Sequence, residues 1–203
     1  MEFLNQNLVL YVVAYFMGGI PFGYLLAKFF ANVDIKQAGS GNIGATNVLR
    51  VVKEKDASLA KRLGVITLLL DALKGALILV IAILLGVHTD TLWTIAALSV
   101  LGHCFSPYLM FEGGKGVATA FGVLIILAPL PTLIALGVWF VCAKVFKVSS
   151  LSSLLALIVL MIASYILMPH TPHAPLWIIA WVVFYKHIPN IKKLLKREEA
   201  KVI

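Results

Sequence analysis

Long apolar runs separated by short polar segments make up most of this sequence of 203 residues. The runs fall at roughly 4–29, 64–86, 92–111, 117–130, 131–146, 151–168 and 175–186. A helix needs about 20 mostly apolar residues to cross a bilayer, so the first three runs and the sixth are long enough. The seventh is short, but Trp177, Trp181 and Tyr185 are residues of the kind that anchor helices at membrane interfaces. The pattern predicts an all-α polytopic membrane protein.

The block 117–146 can be interpreted in two ways. As a single helix it would extend about 45 Å, which is longer than the hydrocarbon core of a bilayer. Pro129 and Pro131 lie near its midpoint, where they would interrupt a helix. Two shorter helices are the alternative, and the distribution of charge decides between the two.

Lys and Arg collect on the cytoplasmic side of membrane proteins. With seven helices and the N-terminus outside, all 17 Lys and Arg residues lie in or beside the inner segments. The outer segments then contain none; they lie around Glu2 and at 88–90, 129–131 and 168–175. One long helix over 117–146 would move Lys144, Lys147 and the basic C-terminal segment outside, against this bias.

We therefore predict seven transmembrane helices in one domain, residues 1–203, with the N-terminus outside and the C-terminus in the cytoplasm. No basic segment or small-residue cleavage site accompanies the first run, so we expect the first helix to stay attached. This topology brings 30–62, 112–116, 145–150 and 186–203 to the cytoplasmic face. The segment 30–62 has no long apolar run and should cover the bundle as an interfacial layer.

The composition agrees with a membrane location, since 61% of the residues are hydrophobic and only 13% are charged. The net charge of +8 does not indicate nucleic-acid binding, because the basic residues flank apolar runs. Cys104 and Cys142 each lie inside an apolar run, so we predict no disulfide. No cluster of metal-ligating residues occurs in the sequence, and we expect neither a metal nor a cofactor.

The first polar motif covers residues 40–50 and combines small residues, hydrogen-bond donors and a cation. Small residues let backbone N–H groups approach an anion, and an arginine can bind phosphate with two hydrogen bonds. An ordinary glycine-rich turn is the alternative interpretation. The candidate site residues of this motif are Ser40, Gly41, Asn42, Gly44, Thr46, Asn47 and Arg50.

The second motif covers residues 112–119 and resembles a phosphate loop without matching the Walker pattern, because Lys115 is followed by Gly116. ATP hydrolysis is therefore unsupported. A helix beginning near Val117 would direct its positive N-terminal end at an anion held here. A capped helix with a snorkelling lysine is the alternative. The candidate binding residues are Gly113, Gly114, Lys115 and Gly116.

The third motif, 186–199, follows the last apolar run and contributes His187 and Asn190 as candidates. The alternative here is a surface histidine beside a basic membrane anchor. Four further candidates, each with a structural alternative, are Lys74, His103, Ser149 and Ser150. Lys74 could pair with Asp71 inside the membrane, His103 could be a packing residue, and the serines could cap a helix.

Together these segments resemble the bacterial acyl-phosphate-dependent glycerol-3-phosphate acyltransferases, the PlsY type. The resemblance covers about residues 10–200 and rests on three ordered motifs; these are Ser40–Asn47 with Arg50, Gly113–Thr119, and His187 with Asn190, Ile191 and Glu199. Asp71, Lys74 with Gly75, and Gly102 with His103 fit the same pattern. Lys193, Arg197 and Glu112 depart from the residues common in the family.

The resemblance implies transfer of a fatty acyl group from acyl phosphate to the sn-1 hydroxyl of glycerol 3-phosphate. The products would be 1-acylglycerol 3-phosphate and phosphate, in the first step of phospholipid biosynthesis. It ties Ser40 and Arg50 to catalysis, Gly113–Lys115 to glycerol-phosphate binding, and His187 and Asn190 to the site, with Glu199 structural. It also implies a bacterial inner membrane protein whose site faces the cytoplasm, with the two substrates and the bilayer as partners and no obligatory protein partner.

An acyl phosphate is already activated, so the enzyme must position the hydroxyl, remove its proton and stabilise the developing oxyanion. His187 could be the general base, or the leaving phosphate could take the proton while Arg50, Lys115 and His187 hold the phosphates. A transporter for an anionic metabolite is the rival function. Transporters usually bind substrate near the bilayer midplane between related halves, whereas these motifs are predicted at one face and no internal repeat occurs.

Overall fold

The computed structural model describes residues 2–201, with side chains from residue 6 onward, and the regular secondary structure within this range is all helical. The helices are α1 (Glu2–Gly19), α2 (Phe22–Ala31), α3 (Ala45–Val52), α4 (Ala57–Leu84), α5 (Thr89–Cys104), α6 (Val117–Leu127), α7 (Pro129–Phe146), α8 (Ser149–Leu167), α9 (His173–Lys186) and α10 (Ile188–Leu195). A 3-10 turn, Pro107–Leu109, follows α5. The predicted all-α class is confirmed.

Five segments of the described chain are long and apolar enough to cross a membrane. They are Gln6–Ala31, Ala57–Leu84, Thr89–Leu109, Pro129–Phe146 and Ser149–Leu167. The first contains both α1 and α2, which Pro21 separates. The remaining apolar helices, α6 and α9, have 11 and 14 residues, or about 16 and 21 Å at the usual rise per residue.

The block 117–146 forms two helices, as predicted. The break lies at Ala128, immediately before Pro129, and the backbone of Ala128 leaves the helical region with φ −140° and ψ 63°. Pro129 then occupies the first turn of α7, where its missing N–H leaves no helical hydrogen bond unmade.

The main core lies where α1, α4, α5, α6, α8 and α9 meet, and Trp93 and Leu79 are buried within it. Glycines allow α1 and α5 to approach closely. A Cβ on Gly18 would overlap the carbonyl of Ser99, and one on Gly102 would overlap the carbonyl of Tyr15. Small residues are the usual contact surface between membrane helices, because packing rather than water exclusion drives their association.

The segment 32–56 folds over one end of this bundle and has a small core of its own. Ile35, Ile43, Val48 and Val52 are buried there against α2 and α4. On α3, Val48, Val51 and Val52 point inward while the C-terminal end at Lys53 is exposed, an amphipathic arrangement. This layer holds the first polar motif in place.

Candidate functional site

One cavity of about 550 Å³ brings the three polar motifs together. Its walls come from the segment 39–50, the N-terminal end of α6, the start of α8 and the segment 183–200. The predicted site residues that line it are Ser40, Asn42, Gly44, Thr46, Asn47, Arg50, His103, Lys115, Gly116, Ser149, Ser150, His187 and Asn190. Four others, Gly41, Lys74, Gly113 and Gly114, are not among the lining residues.

Asn47 organises the first motif from a position only 2% exposed. Its Nδ2 donates to the carbonyls of Ile35 at 3.0 Å, Ala38 at 3.2 Å and Asn42 at 2.8 Å. Its Oδ1 accepts a hydrogen bond from the backbone N–H of Ser40 at 2.8 Å. Because the loop uses all its donors, Asn47 shapes the motif, and its predicted contact with substrate stays a prediction.

Several side chains of the same loop have polar atoms free to meet a ligand. Asn42 accepts from the N–H of Gly44 through Oδ1 at 2.8 Å, while its Nδ2 has no protein acceptor among the described residues. The hydroxyls of Ser40 and Thr46 and the guanidinium of Arg50 also lie at the cavity without a partner in the described part of the chain. A cation and three neutral donors therefore face one space.

Gly113 and Gly114 of the second motif form hydrogen bonds within the protein and do not line the cavity. The N–H of Gly113 donates to the carbonyl of Cys104 at 3.2 Å, and that of Gly114 donates to the carbonyl of His103 at 2.9 Å. A Cβ on Gly114 would overlap the imidazole of His103. These glycines thus let the turn pack directly on the end of α5, which positions Lys115.

Lys115 stands beside the N-terminus of α6, which begins at Val117 as predicted. Gly116 is the N-cap residue and no side chain caps this helix; the alternative interpretation of Lys115 as a snorkelling lysine stays untested. The first-turn N–H groups of Val117 and Ala118, both at the cavity, have no intrahelical acceptor and suit an anion. Burial, together with the positive charges of Arg50 and Lys193, lowers the pKa of Lys115 to about 8.

Lys74 is almost fully buried and has three partners. Its Nζ donates to Asp71 Oδ1 at 2.8 Å, to the carbonyl of Ile20 at 2.8 Å and to His103 Nδ1 at 2.9 Å. The internal ion pair considered from the sequence is therefore confirmed, with side chains 2% and 4% exposed. An accepting Nδ1 leaves the proton of a neutral His103 on Nε2, the atom that faces Gly114.

His187 is only 1% exposed, so the alternative of a surface histidine is wrong. Its Nδ1 lies 2.7 Å from the carbonyl of Val183 and donates to it, which leaves Nε2 of the neutral ring as an acceptor. Burial, and then the nearby charge of Lys115, lowers the pKa of His187 to about 4. This imidazole is therefore neutral at pH 7.

Hydrogen bonds to Glu199 link α8 to α10 at the rim of the cavity. Its Oε1 accepts a hydrogen bond from Ser150 Oγ at 2.7 Å and from Asn190 Nδ2 at 2.6 Å. The residue preceding α8 is Val148, and no side chain caps that helix, so the capping alternative for Ser149 and Ser150 is wrong. The pairing leaves the Oδ1 and one Nδ2 hydrogen of Asn190 available.

The second half of the cavity is apolar and lies between α4, α6, α7 and α8. The sequence motifs gave no indication of it, because apolar runs do not distinguish positions facing a cavity from positions facing lipid. One signal was present: small or hydroxyl residues recur three apart at Thr132 and Ala135 on α7 and at Ser153 and Ala156 on α8. Sequence reasoning also gave no site role to Lys193, which lines the polar end.

No three His, Cys, Asp or Glu side chains among residues 6–201 come together as possible metal ligands. Apart from Glu198 and Glu199, the polar groups at this end are cations, amides, hydroxyls and a helix N-terminus. All of these favour a phosphate or carboxylate.

Comparison with known proteins identifies the chain's relatives. The model of the family described as glycerol-3-phosphate acyltransferase matches residues 8–197. Proteins named glycerol-3-phosphate acyltransferase from Sulfurimonas denitrificans and Nitratiruptor sp. are 59% and 57% identical, and the alignments cover 100% and 98% of both chains.

Two crystal structures of PlsY, described as an integral membrane glycerol 3-phosphate acyltransferase, have the same fold. The glycerol 3-phosphate form aligns with a TM-score of 0.86 and the lysophosphatidic acid form with 0.80. Both are 34% identical to this chain and cover 97% of it and 95% of their own length. The chain is an integral membrane protein and belongs to the PlsY family of glycerol-3-phosphate acyltransferases.

Proposed function

We propose that this protein transfers a fatty acyl group from acyl phosphate to the sn-1 hydroxyl of glycerol 3-phosphate, forming lysophosphatidic acid and phosphate. The observation that carries the proposal is one continuous cavity, in which a cationic polar end continues into an apolar channel. An acyl phosphate has the same two-part character. The names of the relatives supply the acceptor, glycerol 3-phosphate.

Phosphate binding is assigned to the polar end. Arg50, Lys115 and Lys193 supply positive charge, and the first turn of α6 supplies N–H donors. Two phosphate groups must be held at once, one on each substrate. The neutral donors Ser40 and Asn42 are assigned to the carbonyl oxygen, where negative charge develops in the transition state.

The acyl chain is assigned to the apolar half of the cavity. Its walls include Leu68, Phe121 and Leu157, and the indole of Trp139 is fixed by a hydrogen bond from Nε1 to Ser153 Oγ at 3.1 Å. This channel begins beside Ser149 and Ser150, at the polar end. An amphiphile can therefore place its phosphate among the cations and its chain between the helices.

In the proposed reaction, the sn-1 oxygen forms a bond to the carbonyl carbon and the bond from that carbon to the phosphate oxygen breaks. The hydroxyl proton passes to the departing phosphate, giving hydrogen phosphate. With a pKa of about 4, His187 is a weak base in the free enzyme, whereas the second pKa of a phosphate lies near 6. His187 Nε2 then orients the hydroxyl as a hydrogen-bond acceptor.

The proposed topology keeps seven spans, with α1 and α2 forming one and α6 and α9 crossing as the short ones. The N-terminus is outside and the C-terminus and active site face the cytoplasm of a bacterial inner membrane. The distribution of Lys and Arg supports this orientation. No protein partner or cofactor is part of the proposal.

The proposal is tested by measuring lysophosphatidic acid formed from labelled glycerol 3-phosphate and palmitoyl phosphate. Ser40→Ala and Lys115→Ala should each lower kcat/KM at least about a hundredfold, the loss typical of removing one transition-state contact. Lys196→Ala is the matched control, because Lys196 is exposed on the same face and does not line the cavity. Equal activity in the wild type and the three variants would refute the assignment of the site.

The role of His187 has a separate test. His187→Ala should raise the KM for glycerol 3-phosphate and leave the shape of the pH profile unchanged. Loss of a titrating limb near neutral pH, with an unchanged KM, would instead identify His187 as the general base.

A further inference from the structure

The apolar half of the cavity is built in levels along α7 and α8, which are antiparallel helices joined by Lys147 and Val148. The bond from Trp139 to Ser153 fixes their register. Seven residues further into the membrane on each helix stand Thr132 and Leu160, about 10 Å below that bond at 1.5 Å per residue. Both residues line the cavity and are at most 7% exposed.

This lower level is closed by the junction of α6 and α7. Leu124, 1% exposed, lines the cavity one turn before α6 ends, and Thr132 lines it one turn after the break at Ala128. The break itself is held by backbone bonds from Ala128 N to Leu124 O at 2.8 Å and from Thr132 N to Ala128 O at 3.1 Å. The reversal of the chain, with the Leu160 side chain at the same level on α8, therefore forms the floor of the channel.

Above the floor the channel is kept open by small side chains. Ala156 stands on α8 one turn above Leu160 and one turn below Ser153, and Ala135 lies on the facing side of α7. Both are largely buried, at 9% and 7% exposure. A larger residue at either position would fill space within the channel rather than displace a packed neighbour.

One side of the channel is open to the bilayer. Leu69 and Leu136 line it and are 54% and 42% exposed. A chain longer than the depth of the channel must turn at the floor and leave between these residues. That bend is unfavourable for long acyl chains, whereas short chains fit within the channel without bending.

We infer that Ala156 and Leu160 determine the acyl-chain length this enzyme prefers, with Ala156 setting the width of the channel and Leu160 its depth. The inference rests on the proposed function, since it assumes that the channel holds the acyl chain. It assigns length selection to two residues outside all three polar motifs.

The test compares kcat/KM for octanoyl, palmitoyl and stearoyl phosphate with labelled glycerol 3-phosphate, using the full-length protein. Ala156→Leu should lower the palmitoyl value about tenfold or more and leave the octanoyl value within about twofold. Leu160→Ala should raise the stearoyl-to-palmitoyl ratio about threefold or more. The KM for glycerol 3-phosphate should not change in either variant.

Gly137→Leu is the matched control. It adds the same side chain on α7 where a Cβ meets nothing within 4 Å, at an exposed position outside the cavity lining. Its donor ratios should equal those of the wild type.

Folded variants with unchanged length ratios, or an equal loss on all three donors in Ala156→Leu, would overturn the inference. If Ala156→Leu does not fold, Leu160→Ala alone decides by the same ratio. Absence of product from every donor in the folded wild type would refute the proposed function instead, so the two failures are distinguishable.

Discussion

Lys115 loses its positive charge at a lower pH than an ordinary lysine does. A free lysine has a pKa near 10.4, whereas burial and two neighbouring cations lower the pKa of Lys115 to about 8. The ammonium form is present below that pH and is lost as pH rises through it. Phosphate binding that depends on this charge should therefore weaken over the same pH range.

The first prediction therefore concerns the KM for glycerol 3-phosphate. It should rise as pH increases above about 8, reaching about tenfold by roughly pH 9.5, while the substrate phosphate stays dianionic throughout. In Lys115→Arg this alkaline rise should disappear, because arginine keeps its charge. Steady-state kinetics from pH 7 to pH 9.5 provide the measurement, and an identical rise in the variant would contradict it.

Gly39 is required by the backbone and by its neighbours. Its φ of +63° lies in the left-handed region, and a Cβ would overlap Asn47 Oδ1 and press on Val51. The added methyl group would displace Asn47, the side chain that organises the first motif.

We predict that Gly39→Ala lowers kcat/KM at least about tenfold, with a conformational cost of about 1–2 kcal/mol. Gly137→Ala, where the added methyl meets nothing, should keep wild-type activity. Kinetics and thermal unfolding of both variants provide the test. Equal activity would show that the loop accommodates the methyl group.

Among the elements, α4 and α5 are joined inside the bundle by the group of Asp71, Lys74 and His103, and Lys74 also reaches the carbonyl of Ile20 between α1 and α2. Removing one partner leaves an uncompensated buried charge, which is far more costly than removing both. The contact from Lys74 also holds the imidazole of His103 in place against Gly114.

Lys74→Met should therefore lower the unfolding free energy by about 3 kcal/mol, or roughly 6–12 °C in melting temperature. The double variant Asp71→Asn, Lys74→Met should recover part of this loss, because the unpaired carboxylate is gone. Thermal unfolding in detergent measures both. A double variant less stable than the single one would contradict the explanation.

The elements could largely be predicted from sequence, whereas the orientation of their side chains could not. Apolar length located the helices, and Pro129 located the break between α6 and α7. The burial of His187 could not be predicted, because it depends on helices distant in sequence. Nor could the partners of Gly113 and Gly114, whose N–H groups pair with α5 although a glycine-rich pattern suggests phosphate contact. The burial of His187 and the hydrogen bonds of the two glycines are determined by tertiary packing.

At the scale of the whole molecule, three motifs distributed over residues 40–199 meet at one end of a bundle. That end must face the compartment that holds glycerol 3-phosphate. The fold alone does not set the orientation, and the distribution of Lys and Arg is the argument for a cytoplasmic site.

Single cysteines should report this orientation. With Cys104 and Cys142 replaced by Ala, Asp90→Cys should react with an impermeant maleimide on intact cells, and Lys196→Cys only after permeabilisation. Both positions are exposed. The protein without cysteines is the control. The opposite pattern would invert the topology.

The central claim is that acyl phosphate is the donor used at this site. The most direct measurement offers palmitoyl phosphate and palmitoyl-CoA in parallel to the purified protein with labelled glycerol 3-phosphate and quantifies lysophosphatidic acid. We predict product from palmitoyl phosphate alone, lost in Lys115→Ala. Product from palmitoyl-CoA, or none from either donor in a folded sample, would contradict the account.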